Sequence, residues 1–200
     1  GFNRRFDPHF RAVRAAIDDG RIGKVEMVTI TSRDPGAPPA GYIKVSGGIF
    51  RDMTIHDFDM ARFLLGEEID TVMASAAVLT DPEIGKLGDY DSASVILTTA
   101  SGKQCVISNS RRATYGYDQR IEVLGALGQA AVGNVAQSLV ILSDQTGITG
   151  EKPLWNYPER YAQAYRTEML QFIEAVASGG RVTPDAFDGL RASVIAEAAI

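Results

Sequence analysis

"SGGIFRDMTIHDFDMARFLLG", residues 46–66, decides how the chain reads. Its apolar residues recur as in a helix made for burial, from about Asp52 to Leu65, and Gly66 supplies the stop. Yet the stretch also carries Asp52, His56, Asp57 and Asp59. Asp52 and His56 stand four residues apart, which puts both side chains on one helix face. Asp59 lies one turn further on that side, and Asp57 points elsewhere. Three readings fit these residues. Asp52 could favour the helix dipole while His56 is a satisfied core histidine. Asp52, His56 and Asp59 could ligate a metal, although no fourth ligand, cysteine or second histidine stands near, so no metal is expected. Or His56 accepts a proton while Asp52 orients it.

Composition sets the frame. The chain has 200 residues, 45% hydrophobic and 22% charged, which suits one domain with a real core. A net charge of −5 and the lack of a Lys/Arg run exclude a nucleic-acid surface. No apolar run reaches the length of a membrane span. Cys105, the single cysteine, reads as a buried thiol, and the cytoplasm is the expected compartment. The sequence opens "GFNRRFDP" and closes in "LRASVIAEAAI" without a helix stop, so it is expected to be part of a longer protein.

Working outward, Asp7-Pro8 predicts a helix N-terminus, with Phe10, Val13 and Ile17 inward and Gly20 as the stop. "GKVEMVTITSR", 23–33, alternates as a strand with Val25, Met27 and Thr29 on one face. "DPGAPPAGY", 34–42, is a Pro/Gly loop long enough to be functional. Gly47-Gly48 is either a flexible lead into the helix or a close approach to a ligand. Strands follow at "IDTVMASAAVLT", "DSASVILTTA", "KQCVISNSRRA", "QRIEVLGAL", "QAAVGN" and "SLVILSD". The glycines of "GALGQAAVG" read as hairpin turns, not as a phosphate loop, because G-x-G-x-x-G spacing is absent. Two helices close the chain. Tyr165, Met169, Phe172, Ile173 and Val176 mark the first; Phe187, Leu190, Val194 and Ala198 mark one face of the second, which opens at Pro184. The expected fold is α+β, one largely antiparallel open sheet with helices on one face.

"GGIFRDMTIHDFDMARFLLG" resembles the catalytic helix of the Gfo/Idh/MocA oxidoreductases. The likeness extends to "GFNRRFDP", "PAGYIKVSGGIFRDM", "YGYDQRIEVLGALG" and "RYAQAYRTEMLQFIEAV", in the family's order and over essentially the whole chain. Within the family it is narrowest to the enzymes that oxidise inositols. The resemblance implies an NAD-dependent dehydrogenase that turns a ring hydroxyl of a cyclitol into a ketone, with residues 1–200 as its substrate-binding and oligomerisation domain. It implies an N-terminal dinucleotide-binding domain, of roughly 120 residues, outside this sequence. That domain would carry the G-x-G-x-x-G loop and an E-K-P lysine. Glu151-Lys152-Pro153 is read as a surface-loop coincidence. By the same resemblance His56 takes the hydroxyl proton and Asp52 orients it. Tyr42, Lys44 and Tyr117 contact substrate, with Tyr115 and Asp118 at the same strand junction, and Asn3 and Arg4 face cofactor. A homodimer or homotetramer through the sheet face is also implied. An NAD(P)-dependent sugar oxidoreductase of the same family, or a non-enzymatic scaffold, are the alternatives. His9 receives no role.

Overall fold

The structure, a computed structural model, describes all 200 residues. A 3-10 turn, Asn3–Phe6, leads into α1 (Pro8–Asp18). As the Asp-Pro pair predicts, the Asp7 carboxylate accepts from the N–H groups of His9 and Phe10, both at 3.1 Å. Phe10 and Val13 face the core. Next come β1 (Val25–Arg33), the short α2 (Ala40–Ser46), a π-helical turn (Phe50–Thr54) and α3 (Ile55–Leu65). Gly66 ends α3 in the left-handed conformation, as predicted. Strands β2 (Ile69–Ala77), β3 (Ser92–Thr99), β4 (Gln104–Ser110), β5 (Asp118–Gly125) and β6 (Gly128–Val132) follow, with α4 (Pro82–Lys86) between β2 and β3. A ribbon of β7 (Ile141–Asp144) and β8 (Gly147–Gly150) precedes α5 (Tyr157–Arg160), α6 (Ala162–Ser178) and α7 (Ala186–Ala199).

The main sheet has the order β2-β3-β4-β1-β5-β6. All its pairings are antiparallel except β1 with β4, so the expected α+β class and largely antiparallel sheet are observed. The parallel pair arises because β1 lies between strands formed much later in the chain. Its path out of the sheet runs through α2, the π turn and α3, which brings the Asp52 helix across the sheet. Val28, Ile30, Val95, Leu97, Cys105, Ile107, Ile121 and Val123 point from the sheet into the core, where Phe58, Met60, Leu64 and Leu65 of α3 meet them. The hairpin at Gly125–Gly128 and the buried Cys105 thiol are as predicted.

Four expectations are corrected. A bulge between Val25 and Met27 shifts the face of β1, so Val25, Val28 and Ile30 are buried while Met27 and Thr29 face outward. Residues 40–42 are not loop but the first turn of α2. "SLVILSD" does not join the main sheet; it forms its own ribbon with β8, a strand the sequence reading missed. The apolar stripes of the last helices are exposed: α7 turns Ala192, Ile195, Ala196 and Ala199 inward and leaves Phe187, Leu190 and Val194 outside, while α6 buries Ala164 alone. Small residues allow α7 a close approach to the core, so its large ones face away.

No helix is long and apolar enough to cross a membrane. The arrangement predicts a sharp contrast in core truncations. Leu64→Ala, at a fully buried side chain of α3, should cost about 2–5 kcal/mol of unfolding free energy in urea titration. Leu139→Ala, beside the ribbon at 96% exposure, should change it by less than about 0.5 kcal/mol. Equal losses would show that the ribbon packs as core.

Candidate active site

A cavity of about 570 Å³ opens where the 3-10 turn, the end of β1, the π turn and the last helices meet. That size suits a small ligand. Asn3, Arg4, Tyr42, Asp52, His56 and Tyr117, all singled out from the sequence, line it. Lys44 does not: α2 buries Ile43 against the body and turns Lys44 into solvent. Tyr115 also lies elsewhere, on the outer sheet face, with its hydroxyl on Asp118. Lys152 is exposed and away from the cavity, in keeping with a surface loop.

The acidic residues of the 46–66 stretch separate into distinct jobs. Asp57 is fully buried; Arg4 donates to one of its oxygens and Asn109 of β4 to the other, at 2.8 Å. Asp59 is gripped by Arg5 through two bonds of 2.6 and 2.8 Å. It stands buried beside Arg62 as well, so it is spent on structure. Asp52 does not hydrogen-bond to His56. Its oxygens accept from the Tyr42 hydroxyl at 2.6 Å and from Arg111 at 3.1 Å. Arg111 is buried and also donates to Asp89, whose other oxygen accepts from the Ile49 N–H at 2.8 Å. Asp89 therefore pins the start of the π turn while Arg111 pins Asp52 within it. Gly47 and Gly48, both at positive φ, reverse the chain between α2 and that turn. A Cβ on Gly48 would stand 3.2 Å from the Asp89 carboxylate, so the pair serves the turn.

His56 is what remains. Its ring packs edge-on against Phe2 with centroids 6.0 Å apart, and its Nδ1 is buried without a hydrogen-bond partner. Burial, then the charges of Arg4 and of the chain's terminal ammonium, hold its pKa down at about 3. The imidazole is thus neutral across the physiological range, with one ring nitrogen free to accept a proton. Tyr117 packs edge-on against Tyr161 at 6.0 Å, and burial raises its phenol well above the ordinary range. Asn3 Nδ2 is a second buried group without a partner at this cavity.

Sequence reading missed Asp34, Arg111 and Asp89. Asp34 closes β1 and lines the cavity with Arg111. The length of the Pro/Gly loop was the one signal pointing to Asp34. Arg111 and Asp89 meet Asp52 only through the folded sheet.

Residues 10–131 match the pattern of the GFO/IDH/MocA C-terminal domain. The chain belongs to the GFO/IDH/MocA family. Among its relatives, the inositol 2-dehydrogenase of Rhizobium meliloti is 63% identical, over all of this chain and 61% of that protein. A myo-inositol dehydrogenase from Corynebacterium glutamicum superposes with a TM-score of 0.95 at 42% identity, over all of this chain and 60% of the other. The scyllo-inositol dehydrogenase of Lactobacillus casei, solved with NAD(H) and scyllo-inositol, superposes at 0.90 with 31% identity, over 99% of this chain and 60% of the other. This GFO/IDH/MocA chain thus spans about three fifths of the relatives it matches, and corresponds to their C-terminal part.

The low pKa of His56 has a measurable consequence. The folded protein keeps the imidazole neutral down to about pH 3, whereas the unfolded chain protonates it near 6.5. Between those values the unfolded state holds the extra proton, so stability falls as pH drops from 6.5 towards 3. His56→Gln should remove this contribution, making the acid-side loss shallower by at most about 1.4 kcal/mol per pH unit. Urea midpoints at pH 4, 5 and 6.5 read the difference. Equal slopes in the two proteins would exclude a desolvated, neutral His56.

Proposed function

We propose that this chain is the substrate-binding domain of an NAD-dependent inositol 2-dehydrogenase, joined in the complete enzyme to a dinucleotide-binding domain. The observation that carries the reading is His56, a neutral imidazole without a partner, lining a small-molecule cavity while every acid of its own helix is already paired. A scaffold gains nothing from leaving a buried nitrogen unsatisfied. The relatives' names and the ligands of the Lactobacillus casei structure support inositol as the substrate class and NAD as the cofactor.

In this reading His56 accepts the proton of one ring hydroxyl. As that O–H bond breaks, the carbon's C–H electron pair leaves as hydride and a ketone forms. NAD, when bound, supplies the hydride acceptor. Asp52, held by Tyr42 and Arg111, positions the π turn immediately before His56 and presents a fixed carboxylate to the cavity. Tyr42 and Tyr117 offer phenol groups to a polyol. Asn3, with its unpartnered amide nitrogen, is the residue here that fits a cofactor lying across the cavity. Arg4 acts through charge, since Asp57 and Ser32 already accept its hydrogen bonds. The exposed apolar stripes of α6 and α7 suit a covering by the dinucleotide domain. The outer sheet face, with Met27, Met73, Ile96, Val106 and Leu124 exposed, suits pairing into a homodimer or homotetramer. A cytoplasmic enzyme fits this chemistry.

NADH formation by the full-length protein tests the reading directly, with myo-inositol, scyllo-inositol and glucose as substrates. Turnover is expected on an inositol. His56→Ala should lower kcat by about 10²–10⁴-fold, as loss of a general base does, with the far-UV spectrum unchanged. Turnover on glucose but on neither inositol would favour the sugar-oxidising branch of the family. Activity above a tenth of the parent's in His56→Ala would remove the base from His56.

A further inference from the structure

Asp34 stands apart from the other acids around this cavity. Its backbone is pinned: the N–H donates to Ser110 O at 2.9 Å, and the carbonyl accepts from Ala113 N–H at 2.7 Å. These bonds extend the sheet one residue past β1 and fix where the side chain starts. Its carboxylate, by contrast, accepts no hydrogen bond from side chain or backbone, although it is half-buried in the cavity wall. Asp52 and Asp89 each accept from an arginine or a backbone N–H, and Asp57 accepts from Arg4 and Asn109. A carboxylate withdrawn from water without donors is costly unless a ligand supplies them.

The charged and titratable groups around it come from every neighbouring element. Arg4 of the 3-10 turn and Arg111 after β4 favour its ionised form, while Asp52 of the π turn and Asp57 of α3 oppose it. His56 of α3 shares the cavity as a neutral ring. Burial outweighs the arginines and lifts the Asp34 carboxyl to about 6.

We propose that Asp34 is a specificity-determining residue of this site, accepting hydrogen bonds from ring hydroxyls of a cyclitol next to the one whose proton goes to His56. The inference rests on the inositol dehydrogenase reading above. A carboxylate has two oxygens with about four lone-pair sites, so it can take two neighbouring hydroxyls at once. A cyclitol offers a hydroxyl on each ring carbon, and its isomers differ only in which way those hydroxyls point. An acceptor fixed at the end of β1, with the base on α3, therefore selects which ring position faces His56. Hydroxyl donors favour the ionised carboxylate, so polyol binding strengthens as pH rises through about 6.

The test is steady-state kinetics of the full-length enzyme and its Asp34→Asn and Asp34→Ala variants on myo-inositol, between pH 5 and 9. At pH 8 the KM for myo-inositol should rise about 10- to 100-fold, the size of lost hydrogen bonds to a charged group. The kcat should stay within about threefold, and the KM for NAD should not move. In the parent, kcat/KM should fall below about pH 6, and Asp34→Asn should lack that limb. A merely structural role would instead move the KM for NAD and lower thermal stability. An unchanged KM for myo-inositol and an unchanged pH profile in both variants would overturn the inference and leave the dehydrogenase reading standing. No turnover of any inositol by the parent enzyme would overturn that reading, and this inference with it.

Discussion

The buried pairing of Asp57 with Arg4 is the constraint on which the site depends. Asp57 sits in the middle of an otherwise apolar helix and has no contact with solvent. Its two oxygens are divided between Arg4, from the segment before α1, and Asn109, from β4. Asn109 accepts in turn from the Thr54 hydroxyl at 2.7 Å, where the π turn gives way to α3. Three pieces of chain far apart in sequence are thus held in one register by a single carboxylate. Such a pair adds little net stability, because desolvation offsets the Coulomb attraction, but removing one member strands the other charge in the core. Its value is positional: it sets the guanidinium of Arg4 beside the cavity without leaving it free.

That placement explains why a helix suited to burial carries so many acids. Each has its own cationic partner: Asp57 has Arg4, Asp59 has Arg5, Asp52 has Arg111. The first two tie α3 to the start of the chain, and Arg5 also reaches Asp188 of α7 at 3.0 Å. The third ties the π turn to the strand that carries Cys105 and Ile107. With the acids consumed in this way, the histidine among them is left without a counter-charge. An imidazole facing Arg4 and lacking a carboxylate partner is a neutral one, and burial reinforces this.

What was legible in the sequence was mostly local. Asp7-Pro8 and Gly66 set helix ends through contacts within a few residues, and the apolar spacing of α3 is a property of one segment. The hairpin at Gly125–Gly128 is likewise a matter of one turn. His56, Asp52, Asn3, Arg4, Tyr42 and Tyr117 could be brought to one cavity only because the ordered family resemblance linked distant segments. Long-range pairings carried no such signal. The parallel partnership of β1 with β4 depends on how the chain returns, and the bulge at Val25 inverts a face that simple alternation assigns the other way. Arg111 and Asp89 look like ordinary strand-end and turn residues until the sheet places them against Asp52. Lys44 misled because a helix, unlike a loop, dictates the direction of each side chain. The stripes on α6 and α7 were read as core since apolar periodicity marks a face to be covered without saying by what.

The field that makes His56 neutral also limits it as a base. A ring with a low pKa accepts a proton reluctantly, so a strong driving force cannot come from the imidazole. The same guanidinium charges, Arg4 and Arg111, favour negative charge on any oxygen in the cavity, and so acidify a bound hydroxyl. Under the proposed chemistry these two effects work on opposite ends of one proton transfer. Base strength is given up, and acidity of the substrate is gained, by the same positive groups. The arrangement suits an oxidation in which the oxygen gathers negative charge before the hydride departs, because fixed charges that favour the transition state need no reorganisation when it forms. Asp57 and Asp52 set the size of that field by how fully they neutralise the two arginines. The acids that once looked out of place in a buried helix are, in this account, what tunes the histidine beside them.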